Sequence, residues 1–140
     1  MNIAVRFYTR SGNTEKLAGA IAGALGVQAR AVTDKLDEKA DILFLGCSYY
    51  AFDVDDAVKQ FISANRDNIG KIVCFGTSAM MRSVRKPVMR ALQGQNICVL
   101  EEEFHCRGQF GSFHKGRPNG DDLKKAAQFA AGLVEKQGGK

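Results

Sequence analysis

Asn2-Ile3-Ala4-Val5-Arg6-Phe7-Tyr8 runs directly into Thr9-Arg10-Ser11-Gly12-Asn13-Thr14, and this junction decides how the rest of the chain is read. The first seven residues are mostly apolar or β-favouring, the pattern of a buried strand. Beyond Thr14, the residues Leu17, Ala18, Ile21, Ala22 and Leu25 recur at steps of three and four, so a helix begins at once. A strand, a hydroxyl-rich turn and a helix N-terminus together make an anion site. The first-turn amides have no acceptor within the helix, and the helix dipole favours negative charge there. Thr9, Ser11 and Thr14 add hydroxyls, and Gly12 lets the backbone turn tightly. An ordinary helix cap needs one such hydroxyl. Three of them around Gly-Asn in six residues predict a phosphate cradle.

Working outward, three more runs read as strands covered on both faces: Asp41–Cys47 (DILFLGC), Lys71–Gly76 (KIVCFG) and Asn96–Leu100 (NICVL). Val27–Val32 is a weaker strand candidate. Helical stripes lie between them. Val54, Ala57, Val58, Phe61 and Ile62 form one; Val84, Val88, Met89 and Leu92 form another within Arg82–Leu92, where Pro87 is expected to kink the helix or end its first turn. A last helix starts near Asn119, with Asp121 and Asp122 in its first turn, where acidic groups are favoured. Five strands and four helices in alternation predict one α/β domain over residues 1–140, a doubly wound parallel sheet with helices on both faces.

In such sheets, ligands sit outside the carboxyl ends of the strands. That rule selects the loops Thr9–Thr14, Cys47–Asp53, Thr77–Arg82 and Phe104–Pro118. The second holds Tyr49, Tyr50 and Phe52, which suit stacking on a planar ring system. The third offers Thr77 and Ser78 as polar contacts and Met80 and Met81 as soft apolar surface. The combination describes a phosphorylated planar cofactor. A GxGxxG fingerprint and a GxxxxGK P-loop are both missing after the first strand, so dinucleotide binding and ATP hydrolysis find little support.

The chain has 140 residues, 45% hydrophobic and 25% charged, the composition of a soluble globular domain. No apolar run approaches the roughly 18 residues that would suggest a membrane span, and no secretory signal is visible. Cys47, Cys74 and Cys98 lie in apolar strand-like runs, where a free thiol behaves as a small buried hydrophobe. Cys106 sits in a polar, Gly-rich stretch and is expected to be exposed or near a ligand. No CxxC and only two histidines argue against zinc, and a reduced, cytoplasmic protein is expected.

Taken together, these segments resemble the short-chain flavodoxins. Thr9, Ser11, Gly12 and Thr14 fill the fixed places of that family's FMN phosphate loop. GCSYYAFD resembles its second FMN loop and FGTSAMM its third, and FHCRGQFGSFHKGRPNG is similar to one branch of flavodoxin-like proteins. The resemblance implies strand order 2-1-3-4-5 and non-covalently bound FMN. It places Thr9, Arg10, Ser11, Gly12, Asn13 and Thr14 on the phosphate. Ser48, Tyr49, Tyr50 and Ala51 would line one side of the ring, and Thr77, Ser78 and Ala79 the other. No catalytic side chain and no metal ligand is implied.

Charge departs from that family's usual acidity. The chain is +5, and the excess is local: residues 1–70 carry 8 basic and 9 acidic groups, residues 71–140 carry 12 and 6. Arg82, Arg85, Lys86 and Arg90 can share one helix face. A redox protein partner of acidic character is expected, with no nucleic acid and no membrane, and the protein itself is expected as a monomer or weak dimer. Three functions follow: an FMN-binding electron-transfer protein, an FMN-dependent reductase of a small acceptor such as a quinone, or a flavodoxin-like regulatory module without cofactor.

Overall fold

The computed structural model describes residues 1–48, 54–78, 83–109 and 114–139. Among them the elements run β1 (Ile3–Tyr8), α1 (Asn13–Leu25), β2 (Ala29–Ala31), β3 (Ala40–Ser48), α2 (Asp56–Asn65), a 3-10 turn (Arg66–Asn68), β4 (Ile69–Ser78), α3 (Arg85–Ala91), β5 (Cys98–Arg107) and α4 (Gly120–Gly139). The five strands form one sheet in the order β2-β1-β3-β4-β5, and every pairing is parallel. The expected doubly wound α/β architecture is therefore observed.

Alternation along each central strand splits the core in two. Val5, Phe7, Phe44 and Phe75 face the side covered by α1 and α4, where they meet Leu17, Ile21, Ala126 and Ala130. Leu43, Leu45, Ile72 and Cys74 face the other side and meet Val58, Phe61 and Ile62 of α2 and Val88 of α3. Phe44 and Phe75 are fully buried. Two-sided burial explains why these strands read as nearly unbroken apolar runs.

Three expectations need correction. The run Asn96–Leu100 marks only the start of β5, which extends to Arg107, so Phe104–Arg107 is strand and not loop. The reason is an irregularity. Val99 pairs with Ile72, but the next pairing joins Glu103 to Cys74, leaving Leu100–Glu102 opposite Val73. The register shifts there, and the polar EEE stretch belongs to a half-solvated edge strand. The same edge position reverses two cysteines: Cys98 is exposed, while Cys106 is buried. Third, the Arg82–Leu92 pattern becomes a shorter helix from Arg85, with Pro87 in its first turn, where a missing N–H costs little.

No helix covers β1 between β2 and β3. The segment from Val32 to Lys39 crosses instead, plugging Val32 and Leu36 into the α2–α3 side of the core. Arg6 of β1 holds it. Its Nε donates to Asp34 O at 2.9 Å and its Nη2 to Lys35 O at 3.0 Å. Asn65 Oδ1 accepts from Leu36 N at 2.8 Å. Backbone carbonyls thus satisfy the guanidinium of Arg6, a residue that is 7% exposed overall.

The start of α4 is fixed by a second charged group. Asp122 accepts from Arg117 Nε at 2.6 Å, from Arg117 Nη2 at 2.8 Å and from Asn119 N at 2.8 Å. Asn119 Oδ1 in turn accepts from Asp122 N at 3.0 Å. The Arg117 guanidinium holds the Asp122 carboxyl below its ordinary range. A depressed carboxyl contributes stability above its unfolded pKa, about 3.9, and loses it as pH falls through the folded value. Asp122→Asn should therefore cost about 1–2 kcal/mol at pH 7, since Arg117 is partly solvated. Urea unfolding should show the gap between wild type and variant closing below about pH 4.

Candidate functional site

The strands that frame the site end almost level. Tyr8 pairs with Cys47, Ser48 with Thr77, and Ser78 with Arg107. The segments after β1, β3, β4 and β5 consequently leave the sheet along one edge. Strand order reverses between β1 and β3, since β1 connects outward to β2 while β3 begins the run to β4 and β5. This reversal is where open α/β sheets hold their ligands.

At that point the first loop closes on itself. Gly12 N donates to Thr9 Oγ1 at 2.9 Å, and Gly12 takes φ 89°, a left-handed conformation that a side chain disfavours. Space around the Gly12 α-carbon is open, since a β-carbon there would meet nothing within 4 Å. The helix begins at Asn13, and its first intrahelical bond runs from Lys16 N to Gly12 O at 3.2 Å. Ser11 is exposed beside this opening. A bare glycine, an exposed hydroxyl and the positive end of a helix of 13 residues form an open, donor-rich surface suited to an anion.

The other first-loop residues turn elsewhere. Asn13 is buried, and its Nδ2 donates to Gln109 O at 3.0 Å. Thr14 is fully buried, with its Oγ1 3.3 Å from Thr77 Oγ1. Gly108 makes this junction possible: a β-carbon there would lie 2.8 Å from Asn13 Nδ2 and 2.9 Å from Thr77 Cβ. Arg10 is exposed. Its Nη2 lies 3.3 Å from Asp55 Oδ2, and its Nε donates to Tyr8 Oη at 3.3 Å. Asp55 caps α2 by accepting from Ala57 N at 2.9 Å, and that bond, more than Arg10, holds its carboxyl below the ordinary range. Arg10 thereby ties the first loop to the head of α2.

Ser48 closes β3 at the same edge, and Tyr49, Tyr50, Ala51 and Ala79 lie outside the described residues, as do Phe52, Met80, Met81 and Arg82. Thr77 and Ser78 end β4 side by side but point to opposite faces, Thr77 toward Thr14 and Ser78 toward His105. The structure thus gathers Thr9–Thr14, Ser48, Thr77 and Ser78 at one edge.

Three further residues belong to this edge: His105 and Gln109, which lie within the selected segment Phe104–Pro118 without having been singled out, and Glu103 just before it. Gln109 joins α1 to the last loop: its backbone O accepts from Asn13 and its N donates to Arg117 O at 2.8 Å. His105 meets Ser78, with Nε2 and Oγ 2.9 Å apart. Glu103 accepts from Val84 N at 2.9 Å, from Arg85 N at 3.0 Å and from Ser83 Oγ at 3.0 Å. Period-two alternation in EEEFHCR would place Glu103, His105 and Arg107 on one face, once the stretch is recognised as strand.

Cys106 proves to be packing, not chemistry. It is buried on the α4 side of β5, and burial pushes its thiol up to about 12. The expectation of an exposed or ligand-facing thiol is corrected, and such a group carries no thiolate at neutral pH. Arg85 is corrected as well. It is half-buried, and its Nε donates to Leu100 O at 2.7 Å and its Nη2 to Val99 O at 3.3 Å, at the β5 irregularity. It therefore does not share the solvent face of α3, which keeps Lys86 and Arg90. Among the described residues no cluster of His, Cys, Asp or Glu could hold a metal ion, and no helix is long and apolar enough to cross a membrane.

No known family model matches the sequence. An uncharacterized protein of Methanocaldococcus jannaschii is 27% identical over 137 residues, spanning 88% of this chain and 91% of that protein. A flavodoxin from the domain Archaea superposes with a TM-score of 0.78 at 19% identity, covering 97% of this chain and 98% of its own. A flavoprotein of Lactobacillus acidophilus, solved in complex with FMN, superposes with a TM-score of 0.59 at 14% identity over 76% of this chain and 92% of its own. The near-complete mutual coverage with the archaeal protein leaves no element of either chain to another architecture, and the sheet order found above, β2-β1-β3-β4-β5, gives this chain the flavodoxin-like fold.

Proposed function

We propose that this protein binds FMN at the carboxyl edge of its sheet and serves as an electron carrier. The observation that carries the reading is the open, donor-rich turn at Gly12, set at the head of α1 where strand order reverses. Its fit to a phosphate is physical. Ser11 is exposed, the helix end is positive, and no side chain of the described residues comes within 4 Å of where a Gly12 β-carbon would stand. The likeness in fold to a flavoprotein solved with FMN supports the same ligand.

A bound flavin supplies the one- and two-electron chemistry, and this chain supplies place and surroundings. Thr9 Oγ1, holding Gly12 N, keeps the first loop in its turn. Ser11 and the first-turn amides bind the phosphate. Thr77 and Thr14 tie β4 to α1, so the phosphate end and the ring end keep a fixed spacing. Tyr49, Tyr50 and Ala51 are assigned to one side of the ring and Ser78 and Ala79 to the other. No residue of this chain needs to gain or lose a bond.

An acidic redox partner is proposed for the solvent face of α3. Lys86 and Arg90 are exposed one turn apart, and Met89 beside them is 42% exposed. A cationic surface with an apolar centre suits a transient electron-transfer contact. Charge there steers encounter over distances set by the Debye length, about 8 Å at physiological salt.

Two outcomes follow. Purified protein titrated with FMN should quench flavin fluorescence at one FMN per chain. Ser11→Ala should weaken binding about tenfold to hundredfold, the range of one charge-assisted hydrogen bond, with thermal stability unchanged. Wild type that leaves FMN fluorescence unquenched would remove the reading. In stopped-flow reduction of the FMN-loaded protein by a small acidic iron–sulfur protein, Lys86→Glu with Arg90→Glu should slow the rate at low salt. The difference should shrink as salt rises, and Arg85 should not be substituted because it holds β5.

A further inference from the structure

The connection from β4 to α3 is gripped at both ends by alternate residues of β5. At its start, Ser78 Oγ lies 2.9 Å from His105 Nε2. At its finish, the Glu103 carboxylate accepts from Ser83 Oγ, Val84 N and Arg85 N. Arg85 returns the grip by donating to Leu100 O and Val99 O. Glu103 and His105 reach the same side because they are two apart on one strand. The irregularity opposite Val73 sets the register and leaves the facing side unchanged: it adds two residues to β5 between the pairings Ile72–Val99 and Cys74–Glu103, so Glu103 stands beside Cys74 and His105 beside Gly76.

The two grips differ in chemistry. Glu103 meets three donors at the head of α3, which makes it a cap for that helix. His105 meets a single hydroxyl that can donate or accept, at the last residue of β4. Ser78 is 6% exposed and His105 half-buried, so water does not readily replace either partner. We propose that His105 is a positioning residue for the flavin site, holding the carboxyl end of β4 through Ser78 and thereby setting FMN affinity. The proposal rests on the FMN reading above and adds a residue that neither the phosphate turn nor the ring loops contain.

The surroundings of the imidazole fix what its titration reports. Burial lowers its pKa first, and Arg107 on the same face of β5 lowers it further, while Glu103 opposes. From β4 the facing group is Cys74, whose thiol burial pushes far up and keeps neutral. From α3 it is the Arg85 guanidinium, committed to β5 carbonyls. His105 is therefore neutral at pH 7, and Ser78 is held by an uncharged ring. If the ring positions part of the flavin site, FMN binding and imidazole protonation are linked, and each must shift the other.

The test uses FMN titrations of wild type, His105→Ala, His105→Gln and Ser78→Ala, with the His105 imidazole followed by NMR from pH 5 to 8. His105→Ala and Ser78→Ala should weaken FMN about threefold to tenfold, the size of one neutral hydrogen bond. His105→Gln, which keeps a side-chain partner for Ser78, should stay within about twofold of wild type. Saturating FMN should move the imidazole pKa in wild type, and Ser78→Ala should abolish that movement. Equal affinities across the four proteins, or an imidazole pKa indifferent to FMN, overturns the proposal. Wild type that binds no FMN overturns the parent reading instead. In that case amide hydrogen exchange of the ligand-free proteins still decides the grip: faster exchange at Thr77 and Ser78 in His105→Ala but not in His105→Gln supports it, and unchanged exchange rejects it.

Discussion

The head of α1 is held from inside the protein, and the site depends on that constraint. Asn13 and Thr14 are buried and turned to Gln109 O and Thr77 Oγ1. A helix end fixed by inward side chains keeps one direction, so its dipole and first-turn amides stay aimed at the strand-order reversal. Gly108 allows the contact, because any side chain there would push into Asn13 and Thr77. Gln109 then passes the restraint to Arg117, and Arg117 to Asp122 at the head of α4. Two helix heads and two strand ends are thereby linked by hydrogen bonds along one edge.

That arrangement explains a division of labour between neighbours. Thr9, Ser11 and Gly12 shape an open surface, while Asn13 and Thr14 anchor it. The anchoring side chains are of the same types as ligand-binding ones, because both tasks need small polar groups that can reach backbone. Anchors of this kind cost less to desolvate than charges and are satisfied in place. Among the described residues no buried side-chain polar atom lacks a partner, which fits an edge whose hydrogen bonds are already closed within the protein.

Most of the fold was legible in the chain because burial on both sheet faces writes itself as apolar runs. Asp41–Cys47 and Lys71–Gly76 sit inside β3 and β4, and the periodicity from Leu17 to Leu25 matches α1. The edge strand was legible only as far as Leu100. Beyond it one face meets water, and the pairing shift at Val73 interrupts the ladder just where the alternation of EEEFHCR begins. The plug from Val32 to Lys39 was invisible because it is held by Arg6 and Asn65, whose partners are backbone carbonyls and amides that any sequence supplies. At the site, the turn at Gly12 was readable from local chemistry. The inward roles of Asn13 and Thr14 were not, since their partners lie 96 and 63 residues away. Arg85 was misplaced for the same reason: helical spacing puts it near Lys86 and Arg90, but a strand 14 residues on claims its guanidinium.

The claim beneath all of this is that the head of α1 receives a phosphate. Calorimetric titration of the protein with FMN and, separately, with riboflavin tests it most directly, since the two ligands share the ring and differ in the phosphate. The account predicts FMN binding at least about a hundredfold tighter than riboflavin, as two or more charge-assisted hydrogen bonds would give. Equal affinities would place the ring in a site that makes no use of the turn at Gly12, and would contradict it.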